Sequence, residues 1–325
     1  MFMLFNNFNR APYGIYTAGD ENFFAGIVSS INSLRFYGYA GPIAVIDVGF
    51  TEWMQNYLAS FSNVTVLSME PVKKNVRYTD ELTDENPAMT YCAYKAFGIV
   101  HYDIFDKWTF IDADYFPLCN LEAELLPLIN DGLFISSEDG INCWDDRHKE
   151  ATGVIPGQYM NINSGFFSLD MRKYGAVIVE WRDLMTRRKP FDLWYIDQGS
   201  LNVILDKWNI KKHTLDKTLW NQTSLNESMA EENLCKLIRT KDNLCIWYKR
   251  KNTKIMGWHG MGWYKLWHQI GIDHFRKDNA EERQRFYAEC QGKSPASIVE
   301  VFEHFLFMDQ FNRPLKKQDH LLMAP

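Results

Sequence analysis

The chain contains no continuous apolar run of the ~20 residues that a bilayer-spanning helix needs, so no transmembrane segment is expected. Its six cysteines, Cys92, Cys119, Cys143, Cys235, Cys245 and Cys290, include no Cys-x-x-Cys pair. Without a zinc spacing or a disulfide framework, they read as the scattered thiols of a reducing compartment. The start, Met1-Phe-Met-Leu-Phe, is apolar only briefly and lacks the charged lead of a signal peptide. A cytoplasmic location is therefore expected, with peripheral contact at a membrane as the alternative. On this reading the sequons at Asn63, Asn221 and Asn226 are accidental. Basic residues are in the minority: 35 Lys and Arg against 41 Asp and Glu leave a net charge of -6. No extended basic stripe is present, which argues against nucleic-acid binding. Two glycine signatures are also missing. No Gly-x-Gly-x-x-Gly follows the first strand-like segment, against a dinucleotide-binding domain, and there is no P-loop.

What remains is the composition of an ordinary globular protein: 46% hydrophobic and 23% charged in 325 residues, enough for one large domain or two small ones. Aromatics reach 15%, which suits a large aromatic core as much as a carbohydrate-stacking surface. The first half alternates strand and helix patterns. Strands are expected at Tyr13–Thr17, Pro42–Asp47, Val64–Ser68, into Asp112, and at Gly132–Ser136. Helices are expected from Asn22, with Asp20 as cap, over Thr51–Ala59 with Thr51 as cap, and over Ala88–Val100. Such alternation implies a mostly parallel sheet with helices on both faces, and ligands outside the carboxyl ends of its strands. The stretch from Glu138 to Met160 reads as irregular. Helical patterns return at Ala176–Met185 and Asp197–Leu205, short strands and loops from Lys207 to Met256, and helices at Ala280–Cys290 and Pro295–Met308. The last of these is apolar on one face and is expected to pack against the core, with a dimer or membrane-surface contact as alternatives.

Trp108-Thr-Phe-Ile-Asp112-Ala-Asp114 places the chain's one Asp-x-Asp directly behind an apolar strand. Alternation on a strand would point both carboxylates the same way, where they could share one hard cation. The competing reading is a strand end whose aspartates only satisfy loop amides.

Five separated segments carry a resemblance: Thr17-Ala-Gly-Asp20-Glu-Asn22, Lys95 with Asp112-Ala-Asp114, Asn161-Ile-Asn163-Ser164-Gly165, Asp197-Gln198-Gly199, and His259-Gly-Met-Gly262-Trp-Tyr-Lys265-Leu-Trp267. Together they resemble the family 8 glycosyltransferases, retaining enzymes that include lipopolysaccharide galactosyltransferases and glycogenin. The resemblance runs from about Tyr13 to Trp267 and is sharpest in the His-x-x-Gly-x-x-Lys-x-Trp spacing. It departs from the family in three places: Lys95 replaces an arginine, Gly199 a frequent acidic residue, and Leu266 a proline.

The resemblance implies an α/β GT-A nucleotide-diphospho-sugar transferase fold over residues 1–270, with residues 271–325 as a helical extension packed on it. It implies a metal-dependent retaining transfer of a hexose from a UDP-sugar, UDP-glucose or UDP-galactose, to a carbohydrate hydroxyl. Asp112, Asp114 and His259 would hold Mn2+ or Mg2+. Thr17, Ala18, Asp20 and Asn22 would hold the nucleotide, with Lys95, Asp112, Ala113, Asn163, Ser164, Gly262 and Lys265 completing the donor site. Asp197, Gln198 and Lys265 would be the catalytic groups. From local sequence, Asp20 and Asp197 also read as helix caps, Lys95 as a solvent-facing lysine, and His259 as a structural histidine. The alternatives in function are a nucleotide-sugar-binding protein without turnover and a sugar nucleotidyltransferase. A homo-oligomer is compatible with either.

Overall fold

A computed structural model describes residues 10–73, 87–138, 161–186, 196–223, 235–239, 244–260, 265–270, 285, 288, 294 and 296–308. Gly262, the irregular stretch beyond Glu138 up to Met160, and most of the helix expected at Ala280–Cys290 lie outside them.

Strand β1 (Ala11–Asp20) leads through a short 3-10 turn into helix α1 (Phe24–Phe36), then β2 (Ile43–Gly49), α2 (Glu52–Ala59), β3 (Val64–Ser68) and a single turn, α3 (Glu70–Lys73). Helix α4 (Pro87–Tyr102) precedes β4 (Phe105–Ile111), β5 (Tyr115–Pro117), α5 (Leu121–Asn130) and β6 (Phe134–Glu138). Then come β7 (Ile162–Asp170), α6 (Met171–Thr186), α7 (Ile196–Lys207), β8 (Lys212–Leu215), α8 (Lys217–Trp220) and β9 (Gln222–Thr223). The remainder comprises β10 (Cys235–Arg239), β11 (Leu244–Tyr248), β12 (Thr253–Lys254), β13 (Gly257–His259), α9 (Leu266–Gln269) and α10 (Ala296–Leu306). Both expected caps accept an amide, but Asp20 caps the 3-10 turn Glu21–Phe23, and α1 itself starts after Phe23 without a side-chain cap. Asp20 accepts from the Asn22 amide at 2.9 Å, and Thr51 Oγ1 from the Met54 amide at 3.3 Å.

Seven strands form the central sheet in the order β3-β2-β1-β4-β7-β6-β8. All pairings are parallel except the two made by β7, which runs against both β4 and β6. Successive residues feed opposite cores. Ile15, Val45 and Ile111 join α1 and α10 on one face, while Tyr16, Ile46 and Phe110 join α4, α6 and α7 on the other. This is the mostly parallel, doubly covered sheet that the alternation predicts.

Several elements are absent from the sequence expectation, among them α5, β5 and β7. Helix α5 holds Pro127, which removes an amide donor and hides the helical pattern; it ends on Gly132, whose φ of +74° suits glycine. Strand β5 is only three residues long. Strand β7 begins in the Asn-Ile-Asn-Ser-Gly segment, where no strand is expected, and is buried along nearly its whole length.

Helix α10 lays its apolar face on the core beside α1, as expected. Phe302 and Phe305 reach Phe116, and Asn32 Nδ2 donates to the carbonyls of Phe305 at 2.8 Å and Met308 at 3.0 Å. The Phe305 carbonyl lies in the last turn of the helix, where it also accepts from the Met308 amide at 3.3 Å, and Met308 follows just beyond the helix end.

Candidate metal and donor site

The site forms where β4 stops. Ala113 and Asp114 lie in a turn, so the aspartates share a direction through that turn and not through strand alternation. The turn is pinned at both ends: the Asp112 amide donates to the Gly165 carbonyl at 2.7 Å and the Tyr115 amide to the Asp112 carbonyl at 2.9 Å. A second small sheet, β5-β13-β9, brings in the distant partner. Antiparallel pairing sets His259 opposite Tyr115, and the Gly260 amide donates to the Asp114 carbonyl at 2.8 Å. The ligating atoms of Asp112, Asp114 and His259 all fall within 4.8 Å of one another. His259 Nε2 is 3.1 Å from Asp114 Oδ1 and 3.9 Å from Asp112 Oδ2, while its Nδ1 lies 2.9 Å from Asn221 Oδ1.

Gly165 shows whether this cluster has room for an ion. A Cβ at that position would overlap Asp112 Oδ2 and stand 2.7 Å from His259 Cε1 and 2.9 Å from Asn163 Oδ1. Only glycine leaves the space between these groups open. Two carboxylates and one imidazole are oxygen and nitrogen donors of the kind that hold Mn2+ or Mg2+, so the residues fit a divalent cation.

Two lysines compensate the carboxylates. Lys95, on α4, is only 4% exposed and does not face solvent. Its ammonium pairs with Asp197, approaches Asp112 Oδ1 at 3.2 Å, and donates to the Ser164 carbonyl and hydroxyl, each at 3.2 Å. Ser164 Oγ donates to Asp197 Oδ2 at 2.7 Å, and the Ser164 amide to Gln198 Oε1 at 3.2 Å. Asp197 therefore sits in the first turn of α7 facing Lys95 and Ser164. Lys265 pairs with Asp114 Oδ2 and donates to the Gly260 carbonyl at 3.1 Å. The two aspartates respond in opposite ways. Burial pushes the Asp112 carboxyl up, with Lys95 opposing and Asp114 adding to the rise. Burial also acts to raise Asp114, but Lys265 and His259 outweigh it and hold that carboxyl well below the usual range.

Because β7 is antiparallel, its first residues lie beside the last residues of β4. Asn163, Ser164 and Gly165 thus meet Asp112 at the carboxyl edge of the sheet. Asp20 ends the neighbouring strand β1, and Gly19 comes close enough to Ala113 that an added Cβ would lie 3.5 Å from the alanine methyl. Asp20 accepts from both the amide and the side chain of Asn22, and burial raises its pKa. Thr17 is buried in β1, with no partner for its hydroxyl, and Ala18 is half-buried beside it. The structure thus draws the β1 end, the Asp-x-Asp turn, Lys95, the start of β7, the start of α7, His259 and Lys265 to one sheet edge.

Sequence reasoning missed Asn221, which appears there only as a sequon, and Gly26. A Cβ on Gly26 would collide with the Ala113 carbonyl and stand 2.6 Å from Trp267 Cζ3, so this glycine lets α1 reach the turn. No local signal marks either residue, since each matters only through a partner far away in sequence.

No protein family and no curated protein matches the sequence. Solved structures do. The galactosyltransferase LgtC, in complex with donor and acceptor sugar analogs, matches with a TM-score of 0.52 at 16% identity, over 85% of this chain and 95% of that one. The bifunctional glycosyltransferase WbbM matches at 0.54 and 16% identity, over 92% of this chain and 52% of that one. GlyE of Streptococcus pneumoniae TIGR4 matches at 0.50 and 14% identity, over 91% and 64%. The chain has the fold of these GT-A glycosyltransferases.

Proposed function

We propose that this chain is a metal-dependent retaining glycosyltransferase that moves a hexose from a UDP-sugar to a carbohydrate hydroxyl. One observation carries the reading: Asp112, Asp114 and His259 bring their ligating atoms within 4.8 Å of one another at the end of β4. In this reading residues 1–270 are the catalytic domain and residues 271–325 an extension on it. Mn2+ is the expected ion, with Mg2+ the second candidate. Bound there, a divalent cation supplies positive charge to the donor diphosphate and to the charge that grows on it as it leaves.

The protein's own groups do the rest. Asp20 and Asn22 present an acceptor and a donor to the imide edge of uracil, with Thr17 and Ala18 behind them. Lys265 addresses the diphosphate, exchanging Asp114 for a phosphate oxygen, and the Gly262 amide assists. Asn163 hydrogen-bonds the hexose hydroxyls, and Gly165 lets the donor approach closely. Lys265 stands at the site before the bond breaks, and a cation held by Asp112, Asp114 and His259 would do the same, which is where electrostatic catalysis gains most.

Retention follows if the departing phosphate oxygen takes the acceptor proton on the face it leaves. That route needs no carboxylate pair of the glycosidase kind. The surroundings of Asp197 support it, because Lys95 and the Ser164 hydroxyl engage its carboxylate and make it a poor nucleophile. Asp197 and Gln198 instead support positive charge at the anomeric carbon. Lys95 reaches two carboxylates as a point charge, where an arginine fork would favour one bidentate partner.

The test is a panel of UDP-sugars, UDP-glucose and UDP-galactose first, with Mn2+ or EDTA, read by UDP release and by the anomeric configuration of the product. Release that needs Mn2+ and gives a retained configuration is expected. Binding without release makes the chain a nucleotide-sugar-binding protein. UTP formation from pyrophosphate makes it a nucleotidyltransferase.

A further inference from the structure

We propose that Asn221 is the positioning residue that makes His259 a metal ligand through Nε2, an inference that rests on the metal-site reading above. A neutral imidazole carries one proton on two nitrogens, and only the bare nitrogen can bind a cation. Which one is bare depends on the hydrogen bond made by the other. Asn221 Oδ1 lies 2.9 Å from Nδ1, and an amide oxygen can only accept. The proton therefore belongs on Nδ1. Nε2 faces Asp114 Oδ1 at 3.1 Å and Asp112 Oδ2 at 3.9 Å, so it is the nitrogen on the carboxylate side, whose proton a bound cation would displace while the Nδ1 proton stays on Asn221.

Asn221 is held as firmly as the ring it orients. It is 4% exposed and follows helix α8, with its amide donating to the Lys217 carbonyl at 3.0 Å. The next residues form β9, which pairs with β13 so that Gln222 lies beside Trp258 and Thr223 beside His259. On the other side Tyr115, directly after the Asp-x-Asp turn, donates its hydroxyl to the Trp220 carbonyl at 2.6 Å. Phe166 is stacked between the Tyr115 and Trp220 rings, with centroids at 4.7 and 5.9 Å. Gly257 permits this closeness, since a Cβ there would collide with the Tyr115 hydroxyl. One clamp thus ties the residue after Asp114, the strand that holds Gly165, and the turn that holds Asn221. An amide, unlike a carboxylate, orients the ring without adding a further negative charge beside Asp112 and Asp114.

The experiment is a Mn2+ titration followed by the electron paramagnetic resonance of the free ion, on wild type, Asn221→Leu and Asn221→Asp. Leucine keeps the volume and removes the acceptor; aspartate keeps an acceptor for the same proton. Asn221→Leu is expected to weaken Mn2+ binding about 10–100-fold, while Asn221→Asp binds at least as tightly as wild type. Melting of the EDTA-treated proteins checks that each variant folds. In Co2+-loaded wild type, proton NMR should show a hyperfine-shifted N–H resonance from His259 Nδ1, present in H2O and lost in D2O. That measurement decides the matter even if Asn221→Leu does not fold. Unchanged Mn2+ binding in Asn221→Leu, equal losses in both variants, or the absence of that resonance overturns the role of Asn221 alone. A wild-type protein that binds no Mn2+ overturns the metal site itself.

Discussion

Asp112 and Asp114 are two residues apart, yet their surroundings move their carboxyls in opposite directions. Without metal, Asp114 is held down by Lys265 and His259, below the 3.8 of an unperturbed aspartate. The folded chain then binds that proton less readily than the unfolded chain does. The resulting stability is fully present above the unfolded pKa and is lost as pH falls through the folded one. Asp114→Asn is expected to abolish Mn2+-dependent UDP release and to remove this contribution. Urea unfolding in EDTA should show a gap between wild type and variant that is widest near neutrality, begins to narrow below about pH 4 and closes only as pH falls through the folded pKa. A gap that does not change with pH would remove the ion pair from the account.

Helix α1 supports the site through a missing side chain. Gly→Ala inside a helix normally adds up to ~1 kcal/mol of stability. At Gly26 the sign should reverse, because the new methyl meets the Ala113 carbonyl and the Trp267 ring. Gly26→Ala is expected to cost about 1–3 kcal/mol and also to weaken Mn2+ binding, since Ala113 sits between the two aspartates. Denaturant unfolding and the Mn2+ titration read the two effects separately. A more stable variant with unchanged Mn2+ affinity would show that α1 does not brace the turn. Strand β7 contributes through its direction. Were it parallel to β4, Asn163 and Gly165 would lie at the opposite edge from Asp112.

Across the whole molecule, one ion would join chain positions 145 residues apart, those of Asp114 and His259. A ligand that binds only the folded state stabilises it by mass action, by ~2.7 kcal/mol at a hundred times its dissociation constant. Mn2+ should therefore raise the melting temperature of wild type, and EDTA should reverse the rise. His259→Ala, which removes the ligand contributed by the later chain, should melt at the same temperature with or without Mn2+. Calorimetry of the two proteins in Mn2+ and in EDTA checks this.

Local sequence determined the alternating strands and helices, the caps at Asp20 and Thr51, and the apolar face of α10. Each depends on periodicity or on groups within a few residues, which short-range physics decides. The family resemblance also implied Asp112, Asp114 and His259 as partners, but nothing in the sequence could bring them together. Only the tertiary structure decided that β7 runs backwards, that Lys95 turns inward to Asp197, that Gly26 and Gly165 are glycines because other chain segments pass there, and that Asn221 faces the imidazole. Those features depend on contacts between segments separated by tens to hundreds of residues, which exist only once the sheet has set the distances between them.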